Sequence, residues 1–148
     1  MRSKPNLGVL LLSAVIALAG GLAVSGLLTT SRTLSSSGSV KAINVEVYWD
    51  IECTQVVNSV DWGTPEPDDT INRTIYLKNT GNAQMTLNLN ASGWDPIEAG
   101  DYLTLSWNRQ GSSIDADEVV EAVLTLTVSD SITGITDFSF NIVIEGTG

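Results

Sequence analysis

The sequence predicts an all-β protein, two stacked antiparallel sheets behind an N-terminal hydrophobic segment. Three observations predict it. From Val40 onward, apolar and polar residues alternate with a period of two, the periodicity of strands rather than helices. The alternating runs are short and separated by Gly, Pro, Asn and Asp clusters, which mark turns. Ahead of them, Leu7 to Leu28 is an uncharged apolar run, and all seventeen acidic residues follow it.

That apolar run comes after Arg2 and Lys4, and no charge falls between Pro5 and Ser31. As a helix it is about 33 Å long at 1.5 Å per residue. This matches the roughly 30 Å hydrocarbon core of a bilayer. The two basic residues keep the N-terminus cytoplasmic, so the C-terminal side faces out. Two uses compete. One is an uncleaved transmembrane anchor, to which Ala19, Gly20, Gly21 and Ala23 suit packing against a neighbour. The other is a cleaved signal, with small-x-small sites at Ala17-Leu18-Ala19 and Ala23-Val24-Ser25, and a secreted product. A third layout, a pilin-like subunit whose helix joins a filament core, expects a basic residue followed by a small one before the run. Lys4-Pro5 and Arg2-Ser3 match that poorly. The expected division is residues 1–29 as anchor or signal, 30–39 as linker and 40–148 as one sandwich domain. The linker is polar and small-residue rich.

Composition bounds the function classes. From Ser39 onward seventeen acids face four bases, Lys41, Arg73, Lys78 and Arg109, a charge near −13. Such a surface does not bind nucleic acid, whose phosphates need Lys and Arg. It suits solubility and self-repulsion outside the cell. The chain has no histidine, which removes Ser-His-Asp and Cys-His catalysis and His-based zinc sites. Cys53 is the only cysteine, so no internal disulfide forms. It is expected as a small buried hydrophobe or, alternatively, an intermolecular link.

The elements follow in order. A first strand is expected over Val40–Trp49, with Ile43, Val45, Val47 and Trp49 on one face. A weaker second strand covers Gln55–Trp62. Gly63 to Asp69 is a turn, because Pro65 and Pro67 lack backbone donors. A third strand spans Thr70–Asn79, with Ile71, Ile75 and Leu77 inward. Asn79-Thr80-Gly81-Asn82 is a tight turn, and a fourth strand spans Gln84–Ala91 with Met85, Leu87 and Leu89 inward. These two strands are expected to form a hairpin. Ser92 to Asp101 is a loop holding one helical turn around Pro96–Gly100. A fifth strand spans Tyr102–Trp107, and Arg109 to Asp117 is a turn. A sixth strand spans Val119–Val128, with Ala122, Leu124, Leu126 and Val128 on one face. After a turn at Ser129–Ile135, the last strand, Thr136–Glu145, aligns Phe138, Phe140, Ile142 and Ile144. About seven strands joined by such turns are the pattern of an immunoglobulin-like β-sandwich.

The run Asn72-Arg73-Thr74-Ile75-Tyr76-Leu77-Lys78-Asn79-Thr80-Gly81-Asn82, followed by Met85-Thr86-Leu87-Asn88-Leu89, resembles the strand–turn–strand core of extracellular Ig-like modules. Val47-Tyr48-Trp49-Asp50, Asp61-Trp62-Gly63 and Ile132-Thr133-Gly134-Ile135-Thr136-Asp137-Phe138 are similar to segments of small exported archaeal proteins with one N-terminal apolar segment. The resemblance covers nearly the whole chain. It implies a spacer, adhesion unit or fibre subunit, and it supplies no catalytic residues and no cofactor.

Few side chains invite a site. Trp49 and Trp107 continue inward strand phases and are expected in the core. Trp62 and Trp94 sit at turns and are the better candidates for exposed, sugar-stacking rings, but loop tryptophans in sandwiches more often cap the core ends, and that is the expected role. Carboxylates gather at Asp68 with Asp69, at Asp95 with Glu98 and Asp101, and at Asp115 with Asp117 and Glu118. The last group is the weak candidate for calcium, though it lacks the twelve-residue calcium loop. Paired carboxylates also cleave glycosides, but that needs a cleft; no enzyme activity is expected. Asn72-Arg73-Thr74 and Asn90-Ala91-Ser92 match the glycosylation acceptor pattern on outward faces.

The first expectation is a membrane-tethered, non-enzymatic surface domain with a structural or interaction role. The second is a filament subunit, assembled through a donated edge strand or a helix core. The third is a sugar- or calcium-binding module.

Overall fold

The computed structural model describes residues 36–148; the expected hydrophobic helix Leu7–Leu28 and most of the linker lie outside them. Among the described residues nine strands form: β1 Ser36–Ile43, β2 Glu46–Tyr48, β3 Ser59–Asp61, β4 Thr70–Lys78, β5 Met85–Asp95, β6 Leu103–Trp107, β7 Ser113–Ile114, β8 Val119–Val128 and β9 Phe138–Thr147. They build two sheets, in the orders β3-β1-β9-β5-β7 and β2-β4-β8-β6. The protein is an all-β sandwich.

Alternation explains the core. β8 points Ala122, Leu124, Leu126 and Val128 inward, and β4 adds Ile75 and Leu77 from the same sheet. Facing them, β9 contributes Phe138, Phe140, Ile142 and Ile144, and β5 contributes Leu87. Two such faces pack about 10 Å apart. Phe140 gathers the aromatic residues, with Trp94 stacked at 4.2 Å between ring centroids and Trp62 at 6.4 Å. The expected helical turn is present as a short 3-10 helix, Ile97–Asp101.

Several expectations are corrected. The expected first strand, Val40–Trp49, is two strands in different sheets. The chain crosses over at Asn44, whose φ of 63° lies in the left-handed region that asparagine tolerates better than most residues. The Asn44 side-chain amide donates to the Gly146 carbonyl at 3.1 Å and pins the crossing. Ile43 and Trp49, expected inward, are 43 % and 36 % exposed. The strand also takes in Ser36–Ser39 of the expected linker 30–39: Ser36 and Gly38 are buried, and at Gly38 a side chain would meet Ile142. β1 pairs parallel with β9, from Ser36↔Phe138 to Ile43↔Glu145, so the five-stranded sheet is mixed rather than antiparallel.

The expected hairpin is absent. β4 lies between β2 and β8, while β5 lies between β9 and β7 in the opposite sheet. Asn79 is fully buried at the crossing. Its amide donates to the carbonyls of Ala83 at 2.8 Å and Ile114 at 3.1 Å, and its Oδ1 accepts from the Gly81 N–H at 2.9 Å. The turn therefore carries the chain from sheet to sheet. The second strand shrinks to β3, with a separate bridge from Val56 to Tyr48. β5 runs on to Asp95 through an irregularity between Ser92 and Asp95, where Gly93 has φ 63°. The turn Arg109–Asp117 contains β7, which buries Ile114 against β5.

Candidate functional site

The slot that holds β1 is the most specific feature of the sandwich. β1 lies between β9 and β3, with eight paired residues on the β9 side and three on the β3 side. Its outward residues Ser37, Ser39 and Lys41 are exposed. Inward it presents only Ser36 and Gly38, with Val40 half-buried. The Ser36 hydroxyl donates to the Gly63 carbonyl at 2.8 Å. At Gly38 an added Cβ would stand 2.5 Å from Ile142 Cδ1 and 3.4 Å from Trp62 Nε1. The slot thus admits a small residue at that position and excludes larger ones.

Trp62 forms the floor. It is 1 % exposed, so it packs in the core and is not the exposed, sugar-stacking ring for which it is a candidate. Val60 in β3 and Trp62, just past its end, both point inward, and that alternation overrides the turn residues that follow. Its ring stacks on Phe140, and the Arg73 guanidinium sits 5.9 Å from its centroid. Arg73 is fixed there by donating to the carbonyls of Asp61 and Asn72, each at 2.9 Å. The Trp62 Nε1–H is buried without a hydrogen-bond partner. Leaving a buried donor unpaired costs about 1–3 kcal/mol. The cost is borne where β1 covers the ring.

A second feature flanks β2. The backbone returns after Tyr48, with Trp49 N donating to Gln55 O at 2.8 Å and Val57 N to Val47 O at 3.0 Å. Asp50 organises this turn by accepting from the Thr54 hydroxyl and from the N–H groups of Thr54 and Gln55. The Thr54 hydroxyl bond, helped by the backbone donors, holds the Asp50 carboxyl below its ordinary range. Ile51 and Val56 are 60 % and 58 % exposed here, beside Trp49. Sequence reading missed this apolar corner; the signal was the broken alternation after Trp49. Tyr48 donates to Glu46, and that bond, with some desolvation, pushes the phenol up to about 12. A cavity of about 510 Å³ lies between β1 and β2, lined by Val40, Ala42, Val47 and Val56 among others.

The other expected sites are placed as follows. Trp94 is half-buried against Phe140 rather than free for a sugar. Trp107 is half-buried, and its Nε1 donates to Gln110 Oε1 at 3.0 Å. The same oxygen accepts from Leu89 N at 2.9 Å, closing part of the β5 edge. At the calcium candidate, Glu118 accepts from Asp115 N at 2.6 Å and Asp115 accepts from Gln84 at 2.7 Å. Asp117 holds φ 60° and its N–H donates to Asn79 O. These residues shape a turn beside the buried Asn79. Among the described residues, no group of three or more acidic or cysteine side chains is arranged to hold a metal ion. Asn72 and Asn90 are exposed on β4 and β5; Asn72 Oδ1 accepts from the Thr125 hydroxyl at 2.8 Å. Cys53, expected buried, is half-exposed at φ 58° in the Asp50 turn.

This geometry defines a two-sheet β-sandwich whose buried polar groups serve crossings and turns. No protein-family model matches the chain, and no curated protein matches it.

Proposed function

We propose that this chain is a non-enzymatic, Ig-like cell-surface module that acts by contact, in a structural or interaction role. Residues Leu7 to Leu28 tether it to the membrane, with the N-terminus cytoplasmic and the sandwich outside. The observation that supports this proposal is that the sandwich already includes Ser36, eight residues after Leu28. The residues between Leu28 and Ser36 reach about 25 Å when extended. A sandwich on so short a leash stands next to the bilayer, where its acidic surface keeps it off anionic lipid. Ser36, Asn44 and Asn79 bond to backbone groups and Asp50 chiefly so, as in a scaffold rather than a reaction centre.

The test is protease treatment of intact cells, followed by a salt wash of their membranes. The sandwich is expected to be cut from outside and to stay with the membrane through the wash. Protection of the sandwich in intact cells, with release on lysis, would overturn the proposal.

A further inference from the structure

We propose that β1 is an exchangeable strand: Ser36–Ile43 of one copy occupies the slot between β9 and β3 of a second copy, with Asn44 as the hinge. This rests on the surface-module reading and names its partner, another copy of the same chain.

Four observations carry it. β1 is held by backbone pairing far more than by buried side chains, since only Ser36, Gly38 and part of Val40 face the core. Its release exposes the unpaired Trp62 N–H beneath Gly38 to water, which eases the opening step, though the defect returns when a second copy's strand fills the slot. The hinge is already marked. The inward phase is Ser36, Gly38 and Val40 before Asn44 but Val45 and Val47 after it, so the chain changes face at this residue. The φ of 63° at Asn44 and its bond to Gly146 set the turn that, together with the ladders to β9 and β3, keeps β1 on its own sandwich.

The fourth observation selects the occupant. A strand entering the slot must bring a residue without Cβ to the position over Ile142, and a hydroxyl two residues earlier for the Gly63 carbonyl. Ser36-Ser37-Gly38 has that pattern. Exchange of identical elements keeps every contact of the slot, so it is a low-cost route to assembly. Because the donated strand leaves from one sandwich and enters another, repeated donation gives a chain of subunits, and reciprocal donation gives a dimer.

The test uses full-length chains in a Cys53→Ser background. One copy carries Ser39→Cys, the other Asn141→Cys; these residues are directly paired between β1 and β9. The two are co-expressed and treated with a short thiol cross-linker matched to the 4.7–4.9 Å strand spacing. Exchange predicts a covalent heterodimer at least about tenfold more abundant than from Ser39→Cys with Thr104→Cys, since paired strands raise the local thiol concentration to the millimolar range. Thr104 is exposed on β6, in the other sheet. Asn44→Val, which disfavours positive φ, should raise the heterodimer yield, and Asn44→Gly should lower it. A heterodimer yield no higher than the control, with cross-links forming only inside a chain that carries both cysteines, would overturn the exchange. Equal yields from Asn44→Val and Asn44→Gly would overturn the hinge. Cells that expose the sandwich to protease yet give no heterodimer would sink the exchange and leave the surface module standing.

Discussion

β1 and β9 lie side by side through eight paired residues, yet different forces hold them. β9 sends Phe138, Phe140, Ile142 and Ile144 into the core, all buried. β1 sends Ser36 and Gly38, with Val40 half-buried. Burying one large apolar side chain stabilises by about 1.5–3 kcal/mol, and a glycine has no side chain to bury. The ladder between the two strands is shared, so the difference comes from the side chains and from the outer ladders, eight pairs from β9 to β5 against three from β1 to β3. An interior place in a sheet therefore does not make a strand firmly held. Here the weakly anchored strand is also the one that follows the apolar run Leu7–Leu28 in the sequence.

The largest effect expected from this contrast is at β9. Phe140→Ala removes the ring on which Trp62 and Trp94 stack, and should cost about 3–5 kcal/mol in urea unfolding, with the whole domain unfolding cooperatively. Gly38→Val should cost about 1–3 kcal/mol, because its Cβ collides with Ile142. Its signature is local: amides of β1 lose protection while those of β8 keep it. Equal loss in both strands would break the contrast. Ser36→Ala removes only the bond to Gly63 and should cost about 0.5–1.5 kcal/mol, read as a small shift in the urea midpoint.

The smallest effect is at the Asp50 turn. Its carboxyl is depressed in the fold, chiefly by the Thr54 hydroxyl. The stabilisation is therefore present above the unfolded value near 3.9, and is lost as pH falls through the lower folded value. The Thr54 and Gln55 amide resonances should move on acidification well below pH 4, and Asp50→Asn should abolish that movement. An unchanged titration in the variant would show that another group drives it.

The strands with dense apolar alternation were legible in the sequence. β4, β8 and β9 sit close to their expected positions because one face of each is buried along most of its length, which fixes register. The crossing at Asn44 was hidden because alternation continues straight through it. The Asn79 turn misled for a different reason: a turn sequence says that the chain reverses, not which sheet receives it. β7 has two residues, too few to carry a period. Trp62 was read from its neighbours Gly63 and Pro65, although its spacing from Val60 already placed it inside. The slot over Trp62 was invisible for a simpler reason. A buried serine and glycine look like a linker until the residues packed against them are known.

Native-state hydrogen exchange compares the two strands most directly. The amides of β1 should open at a lower free energy than the β9 amides that face β5, through a partial opening that spares the rest of the sandwich. If both sets exchanged together, at the free energy of global unfolding, β1 would be as firmly anchored as its neighbour and its separate role would be refuted.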